Sequence, residues 1–159
     1  MLTMPRARVI AVIGAGNAPK TVRKLAYDVG LEVARRGATL INGGRTGVME
    51  AAAAGARSVD GRTVGILPSY DRGTANRHIE VAIATGMGEA RNAIIVASAD
   101  AVIALEGEGG TLAEIGFARK MKRPIVALKS WPEIAGLHRA DSPVEAVEMA
   151  LKLSASQSG

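Results

Sequence analysis

The chain has 159 residues, 48% hydrophobic and 22% charged, so we expect one domain over residues 1–159 with a single sizeable core. It contains no cysteine, which excludes disulfides, thiol catalysis and cysteine-ligated metals. Twenty Lys and Arg residues against fifteen Asp and Glu residues give a net charge of +5, a balance that favours anionic ligands. Because no apolar run approaches the length of a membrane span, we expect a cytoplasmic protein without membrane contact.

Short β-branched runs alternate with helical patterns along the chain. In chain order the sequence predicts a strand at 8–13, a helix at 21–36, a strand at 39–42, a helix at 47–56, a strand at 63–67, a polar loop at 69–77, a strand or sheet edge at 78–83, a helix at 90–98, a strand at 101–105, a helix at 112–122, a strand at 124–128 and a helix at 143–153. The small polar residues from about 154 onward predict a disordered tail.

This alternation predicts an α/β fold, a Rossmann-like three-layer sandwich with a mostly parallel sheet of six or seven strands. In such sheets ligands bind beyond the carboxyl ends of the strands, at the switch point of the strand order. Glycine-bearing turns follow three of the predicted strands, and they contain Gly14, Gly16, Gly43, Gly44, Gly107, Gly109 and Gly110.

The first turn begins like a dinucleotide-binding fingerprint, but Pro19 stands where the third glycine belongs. The second strand ends at Asn42 and not at the acid that binds a ribose. Both features disfavour an NAD enzyme, and the absence of a G-x-x-x-x-G-K-[ST] sequence excludes a Walker-type ATPase. Gly14 and Gly16 therefore either belong to a ligand site or only form a tight strand-to-helix turn.

The third turn leads from a buried strand directly into a helix that is predicted to begin near Thr111. Gly107, Gly109 and Gly110 allow a ligand to approach the backbone, and the free N–H groups of a helix start attract anions. We therefore expect a phosphate group at this helix terminus. The alternative is that Thr111 and Glu114 form an ordinary capping box, since T-x-x-E has that spacing.

Two arginines are expected at the same edge of the sheet. Arg91 opens a helix whose next turns are apolar, and a cation at a helix start opposes the helix dipole. A functional role is therefore favoured over a solvated position. Arg45 follows the second glycine turn, and either guanidinium has the geometry to bind a phosphate bidentately.

Other functions find little support in the remaining residues. His78 and His138 are far apart in the sequence and lack carboxylates at metal-ligand spacing, so we predict no metal site and place both in loops or on the surface. Ser69 and Ser98 lack a nucleophile elbow. The basic residues are scattered and aromatic residues make up only 3% of the chain, which disfavours nucleic-acid binding.

Two segments resemble the Lonely Guy (SLOG) superfamily, whose older members were often named lysine decarboxylases. They are GGRTGVME at 43–50 and RNAIIVASADAVIALEGEGGTLAE at 91–114. Members carry a G-G-x-x-G-[LV]-M turn, then an Arg, then P-G-G-x-G-T-x-x-E after a strand, and residues 91–114 match this register without a gap. GILP at 65–68 and TGMGEARN at 85–92 look closer to the molybdenum cofactor carrier proteins.

The resemblance implies roles for particular residues. In the hydrolase branch an Arg and a Glu cleave the N-glycosidic bond of a nucleoside 5′-monophosphate, and these would be Arg91 and Glu114. The phosphate would lie on Gly109, Gly110 and Thr111. In the carrier branch the molybdenum cofactor would be the cargo.

Three positions depart from the family pattern. Glu106 replaces the family's Pro, Glu108 replaces its second Gly, and Asn42 replaces the first of three glycines that many hydrolases share. Carboxylates beside a phosphate would repel it. We therefore expect slow or undetectable hydrolysis of nucleoside monophosphates.

The sequence favours a binding protein for an anionic small molecule, either molybdopterin-type or a nucleoside monophosphate, held in a basic groove. The alternative is a Lonely Guy-type nucleoside 5′-monophosphate phosphoribohydrolase, in which Glu114 stabilises an oxocarbenium-like sugar and Arg91 fixes the phosphate or Glu114 itself. A nucleotide-sensing domain would use the same pocket as the binding protein.

Ile94, Ile95 and Val96 lie on adjacent faces of one predicted helix, so packing on the sheet would leave one apolar side uncovered. This predicts a homo-oligomer, a dimer or a tetramer. Members of the resembled family also associate through this region.

Overall fold

The structure, a computed structural model, describes residues 5–157. The strands and helices of these residues are, in chain order, β1 (Val9–Ile13), α1 (Lys20–Arg35), β2 (Thr39–Asn42), α2 (Val48–Arg57), β3 (Thr63–Leu67), β4 (Val81–Ala84), α3 (Asn92–Ala97), β5 (Ala101–Ala104), α4 (Gly109–Lys120), β6 (Ile125–Leu128), β7 (His138–Ala140) and α5 (Pro143–Ser156). Two short 3-10 turns cover Arg72–Thr74 and Gly88–Arg91. None of the helices in residues 5–157 combines the length and the apolar character needed to cross a membrane.

The strands form one seven-stranded sheet in the order β4-β3-β2-β1-β5-β6-β7, and every neighbouring pair is parallel. This confirms the predicted Rossmann-like α/β fold. The strand order reverses at β1, which pairs with β2 through Ala11 and Ile41 and with β5 through Ala11 and Val102. The crevice for a ligand is therefore expected beyond the carboxyl ends of β1 and β5.

Alternate residues of the central strand β1 enter two different cores. Ile10 and Val12 pack with α1, α2 and α5 on one face of the sheet. Ala11 and Ile13 pack with α3 and α4 on the other face. Because a strand is buried on both faces in this architecture, its sequence is an unbroken apolar run.

Strand β7 was not predicted. Its three residues, HRA, include no β-branched or aromatic side chain, and His138 and Arg139 are exposed at the sheet edge. His138 therefore lies on the surface as expected, but in a strand. His78 lies in a turn, where its carbonyl accepts a 2.7 Å hydrogen bond from Thr63 Oγ1.

The prediction of a disordered tail from about residue 154 is wrong for the residues up to 156, because α5 continues to Ser156. Ser154 is buried against the core, and its carbonyl accepts a hydrogen bond from Arg8 Nη1 at 3.3 Å. This long-range contact holds the last turn of the helix. Residues 158–159 lie outside the described residues.

Candidate functional site

A cavity of about 350 Å³ opens beyond the carboxyl ends of β1 and β5. This volume is near the lower end of the range for small-molecule sites. Glycine turns, the start of α4 and the segment before α3 enclose it. The lining residues are Val12, Ile13, Gly14, Ala15, Gly16, Gly43, Arg45, Thr46, Met49, Pro68, Glu89, Arg91, Asn92, Ile95, Glu108, Gly110, Thr111 and Glu114.

The first two glycine turns interlock to form one wall. A Cβ on Gly14 would lie 2.6 Å from the Val48 side chain, so only glycine lets the β1 turn approach α2 this closely. Thr46 Oγ1 donates to the Gly16 carbonyl at 2.7 Å, and the Val48 amide donates to the Ala15 carbonyl at 3.0 Å. Gly14 and Gly16 thus build a tight turn, and they also line the cavity.

Asn42 closes the second turn. Its Oδ1 accepts from the Gly44 amide at 2.8 Å, and its Nδ2 donates to the Met49 carbonyl at 3.0 Å. Gly43 faces the cavity, where a Cβ would lie 2.8 Å from Arg91 Nη2. Gly44 is not among the lining residues; it has φ +72° and lies against Leu67, so its role is in the turn itself.

The third turn places the N-terminus of α4 at the cavity. The helix begins at Gly109, earlier than predicted, and Gly110 and Thr111 line the cavity in its first turn. Gly109 does not line it, and neither does Gly107, which packs against the Thr111 side chain.

The capping-box alternative is wrong. The N-cap of α4 is Glu108, whose side chain makes no capping hydrogen bond, and Thr111 is the third helical residue. Glu114 lies one turn further on and is 8% exposed, with its side chain on the cavity wall. Its position therefore serves the cavity and not the helix start.

Arg91 is buried, with 6% of its surface exposed. It ends the 3-10 turn before α3, where its Nε donates to the Ile66 carbonyl at 2.9 Å and its Nη1 donates to Asn92 Oδ1. The alternative of a solvated helix-start residue is therefore wrong. Burial lowers the pKa of Arg91, as does Arg45, against the opposing charges of Glu89 and Glu114. An arginine nevertheless stays protonated at neutral pH.

Burial raises the pKa of Glu114 to about 8. The charge of Arg91 opposes this shift and the charge of Glu89 adds to it. At pH 7 the Glu114 carboxyl is therefore mostly neutral and able to donate a hydrogen bond as well as accept one.

Sequence reasoning missed Glu89. One of its carboxylate oxygens, Oε2, lies 3.5 Å from Arg91 Nη1 and 3.3 Å from Asn92 Nδ2. Glu89 lies two residues before Arg91, within the segment 85–92 that resembles the carrier proteins, but the sequence analysis assigned it no role. Asn92, Thr46 and Met49 were missed as well. All three lie within the segments that carry the family resemblance, but the sequence analysis assigned them no role in the site.

Arg45 is exposed at the cavity rim, where its carbonyl accepts a 2.7 Å hydrogen bond from Asn76 Nδ2. The two unusual carboxylates of the third turn separate in space. Glu108 lines the cavity, whereas Glu106 lines a different depression beside Trp131. Among residues 5–157, no three His, Cys, Asp or Glu side chains are grouped as a metal ion would require.

A glycine-lined cavity with two arginines, at the switch point of a parallel sheet, defines a ligand-binding protein of the Rossmann-like class. The chain belongs to the SLOG cluster4 family, whose model matches residues 7–155. This confirms the resemblance that the sequence motifs indicated.

Two proteins are similar to this chain in sequence, and only the second has a name that states an activity. An uncharacterized protein from Archaeoglobus fulgidus is 43% identical over 145 residues, which cover 91% of this chain and 95% of that protein. A cytokinin riboside 5′-monophosphate phosphoribohydrolase from Mycobacterium tuberculosis is 35% identical over 123 residues, which cover 72% of this chain and 66% of that enzyme.

Two solved structures extend the comparison. The molybdenum cofactor binding protein from Rippkaea orientalis is 36% identical, with a TM-score of 0.88 over 93% of this chain and 98% of that one. The Moco carrier protein from Chlamydomonas reinhardtii is 32% identical, with a TM-score of 0.86 over 95% of this chain and 99% of that one.

Proposed function

We propose that this chain is a binding protein for a phosphorylated pterin-type or nucleotide-like ligand, with the molybdenum cofactor as its cargo. The observation that carries the proposal is the cavity of about 350 Å³, which brings the first turn of α4 together with Arg45 and Arg91. The names of the two similar solved structures support the cofactor as cargo.

The phosphate group of the ligand would lie at the start of α4. The amides of Gly109, Gly110 and Thr111 belong to the first helical turn, where N–H groups have no intrahelical partner. Arg45 at the rim and Arg91 in the wall supply the positive charge.

The rest of the ligand would lie deeper, between an apolar wall and a polar wall. Ile13, Met49 and Ile95 provide apolar surface for a flat ring. Asn92 and the neutral Glu114 each offer both a donor and an acceptor to the polar edge of a heterocycle. A pterin and a nucleobase both carry such an edge.

The second candidate is a nucleoside 5′-monophosphate phosphoribohydrolase. The Mycobacterium tuberculosis relative favours it, and so does the presence of Arg91 and Glu114 on the same cavity wall. In that reaction Glu114 would stabilise the positive charge of the sugar, which requires an ionised carboxylate. With a pKa of about 8, Glu114 is mostly neutral at pH 7 and gives little of that stabilisation. Ionising Glu114 at pH 7 therefore costs about 1.4 kcal/mol, which disfavours hydrolysis by roughly tenfold.

The experiment incubates the purified protein with AMP and measures both binding and release of adenine. We expect binding that Arg91→Ala and Arg45→Ala weaken, with slow or undetectable release of adenine. Arg72→Ala is the matched control for Arg45→Ala, because Arg72 is also exposed but lies outside the cavity. Robust turnover that disappears in Glu114→Ala would overturn the carrier proposal and establish the hydrolase.

A mass spectrum of the ligand that copurifies with the protein tests the identity of the cargo. A molybdopterin-type mass is the expected result. A nucleotide mass in its place would keep the binding function but remove the molybdenum cofactor from the proposal.

A further inference from the structure

We propose that the Glu89 carboxylate occupies the anion position of the cavity when no ligand is bound, and that an incoming phosphate group displaces it. This inference rests on the proposed function and adds to it a means of releasing the ligand.

The first argument is the position of the carboxylate. Glu89 Oε2 lies 3.5 Å from Arg91 Nη1 and 3.3 Å from Asn92 Nδ2. The same oxygen would lie 3.9 Å from a Cβ built on Gly110, in the first turn of α4. A single carboxylate therefore stands beside the arginine, the amide and the helix start that would receive a phosphate.

The second argument is how weakly this carboxylate is held. The Glu89 side chain is 80% exposed, whereas that of Arg91 is 7% exposed. Ion pairs with one solvated partner contribute little to stability. The carboxylate can therefore leave at little cost, while Arg91 keeps its bond to the Ile66 carbonyl.

The third argument is the backbone that carries Glu89. It belongs to the 3-10 turn Gly88–Arg91, and Gly88 has φ +57° with nothing within 4 Å of a Cβ built on it. Open space surrounds this part of the turn, so Glu89 has room to move away from Arg91. The buried residues of α3 need not move with it.

Displacement has a consequence for a carrier. Every ligand must displace Glu89 at the same small cost, so the affinity of every anion is lowered by the same factor. The carboxylate also returns to Arg91 when the ligand leaves, which favours release. Removing its charge should therefore strengthen the binding of all anions by one common factor.

The test uses Glu89→Gln, which keeps the shape of the side chain and one accepting oxygen but removes the charge. Methyl phosphate, mostly a dianion at pH 7.5, and dimethyl phosphate, a monoanion, are the probes. Their binding is followed through the NMR shifts of the Gly109 and Gly110 amides. We expect both affinities to rise by about fivefold, the factor of one ion pair at about 4 Å in water.

Two variants serve as controls. Glu106→Gln makes the same change outside the cavity and should alter neither affinity. Glu108→Gln removes a charge from the cavity wall without an ion pair to Arg91 among the described residues. The charge of Glu108 should repel a bound anion only through space. Glu108→Gln should therefore strengthen the binding of the dianion more than that of the monoanion.

Three results would overturn this proposal alone, and a fourth would overturn the proposed function as well. A larger gain for methyl phosphate than for dimethyl phosphate in Glu89→Gln would indicate simple repulsion without displacement. Weaker binding would place Glu89 among the groups that hold the ligand, and unchanged binding would leave it without a role. If neither ester binds to the wild type or to Glu89→Gln, the proposed function itself fails, and this proposal with it.

Discussion

The carboxyl group of Glu114 is buried in the cavity wall, and its pKa of about 8 lies well above the ordinary value of 4.5. Because the folded state binds this proton more tightly than the unfolded state, the contribution of Glu114 to stability is highest below pH 4.5. It falls as the pH rises towards 8, and the loss is complete above that pH.

Glu114→Gln should remove this pH dependence, since an amide does not titrate. We expect the unfolding free energy of the variant, relative to that of the wild type, to rise by on the order of 4 kcal/mol between pH 4.5 and pH 9. Urea unfolding at both pH values measures this difference. Parallel pH profiles for the two proteins would show that Glu114 titrates normally.

The mouth of the cavity depends on Gly110. A Cβ there would still meet ordinary contacts, 3.8 Å from Asn92 Nδ2, but a larger side chain would fill the space before the helix start. Gly110→Leu should therefore abolish the binding of phosphorylated ligands. Gly116→Leu is the matched control on the same helix, because a Cβ there meets nothing within 4 Å. Calorimetric titration with AMP distinguishes them; equal affinities would place the anion elsewhere.

At the scale of the elements, α1 and α2 pack backbone against backbone. A Cβ on Gly30 would clash with the Ala52 carbonyl, and a Cβ on Gly55 with the Tyr27 carbonyl. Both contacts explain why these two helices carry glycine in their interiors, where it is otherwise unfavourable.

Gly30→Ala should separate the two helices and destabilise the fold by about 1–3 kcal/mol. The corresponding decrease in Tm is about 2–10 °C for a chain of this size. Gly116→Ala, at an exposed helical site without contacts, should instead increase Tm slightly. Thermal unfolding of the two variants tests the contrast, and similar Tm values would refute the close approach.

The elements that the sequence predicted well are those whose pattern depends on burial alone. The strands β1, β2 and β3 are apolar runs that end at a glycine or a proline, and their predicted bounds differ from the structure by at most one residue. The strand β7 depends on its partner β6 for its conformation, and its three residues carry no such pattern.

The residues of the candidate site also divide into those that a local sequence pattern predicts and those that depend on tertiary contacts. One continuous motif follows the ends of two strands, and the parallel fold brings its residues together at one edge of the sheet. These residues are Arg91, Gly110, Thr111 and Glu114. Glu89 reaches the cavity through the 3-10 turn before α3, whose path depends on tertiary contacts such as the hydrogen bond from the Gly88 amide to the Pro68 carbonyl. Local sequence patterns do not encode such contacts.

At the scale of the whole molecule, the two faces of the sheet are covered unequally. Three helices pack on one face, and only α3 and α4 pack on the other, where α3 has six residues. Ile95 and Val96 of α3 are buried in this core, and Ile94 is half-buried. The sequence predicted an uncovered apolar surface on α3. The structure shows that most of the apolar surface of α3 is covered.

Part of the uncovered apolar surface lies on α4, where Leu112 is 49% exposed and Phe117 is 36% exposed, and part lies on the edge strand β4. Ile83 pairs in register with Ile66, so its side chain points to the less covered face of the sheet, as does Val81. Val81 is 48% exposed and Ile83 is 46% exposed, and Met87, in the loop that follows β4, is 50% exposed. Neighbouring exposed apolar side chains of this kind are typical of a protein–protein contact.

We therefore expect a homo-oligomer, a dimer or a tetramer, that buries β4. Ile83→Lys should weaken the association, because a charge in a packed interface must be desolvated without a partner. Val144→Lys is the matched control: Val144 is 51% exposed on α5, against the opposite face of the sheet, and its replacement should leave the association unchanged. Light scattering at micromolar concentration provides the measurement. A monomeric wild type would remove the prediction, and an oligomer that resists Ile83→Lys but dissociates with Val144→Lys would move the interface to α5.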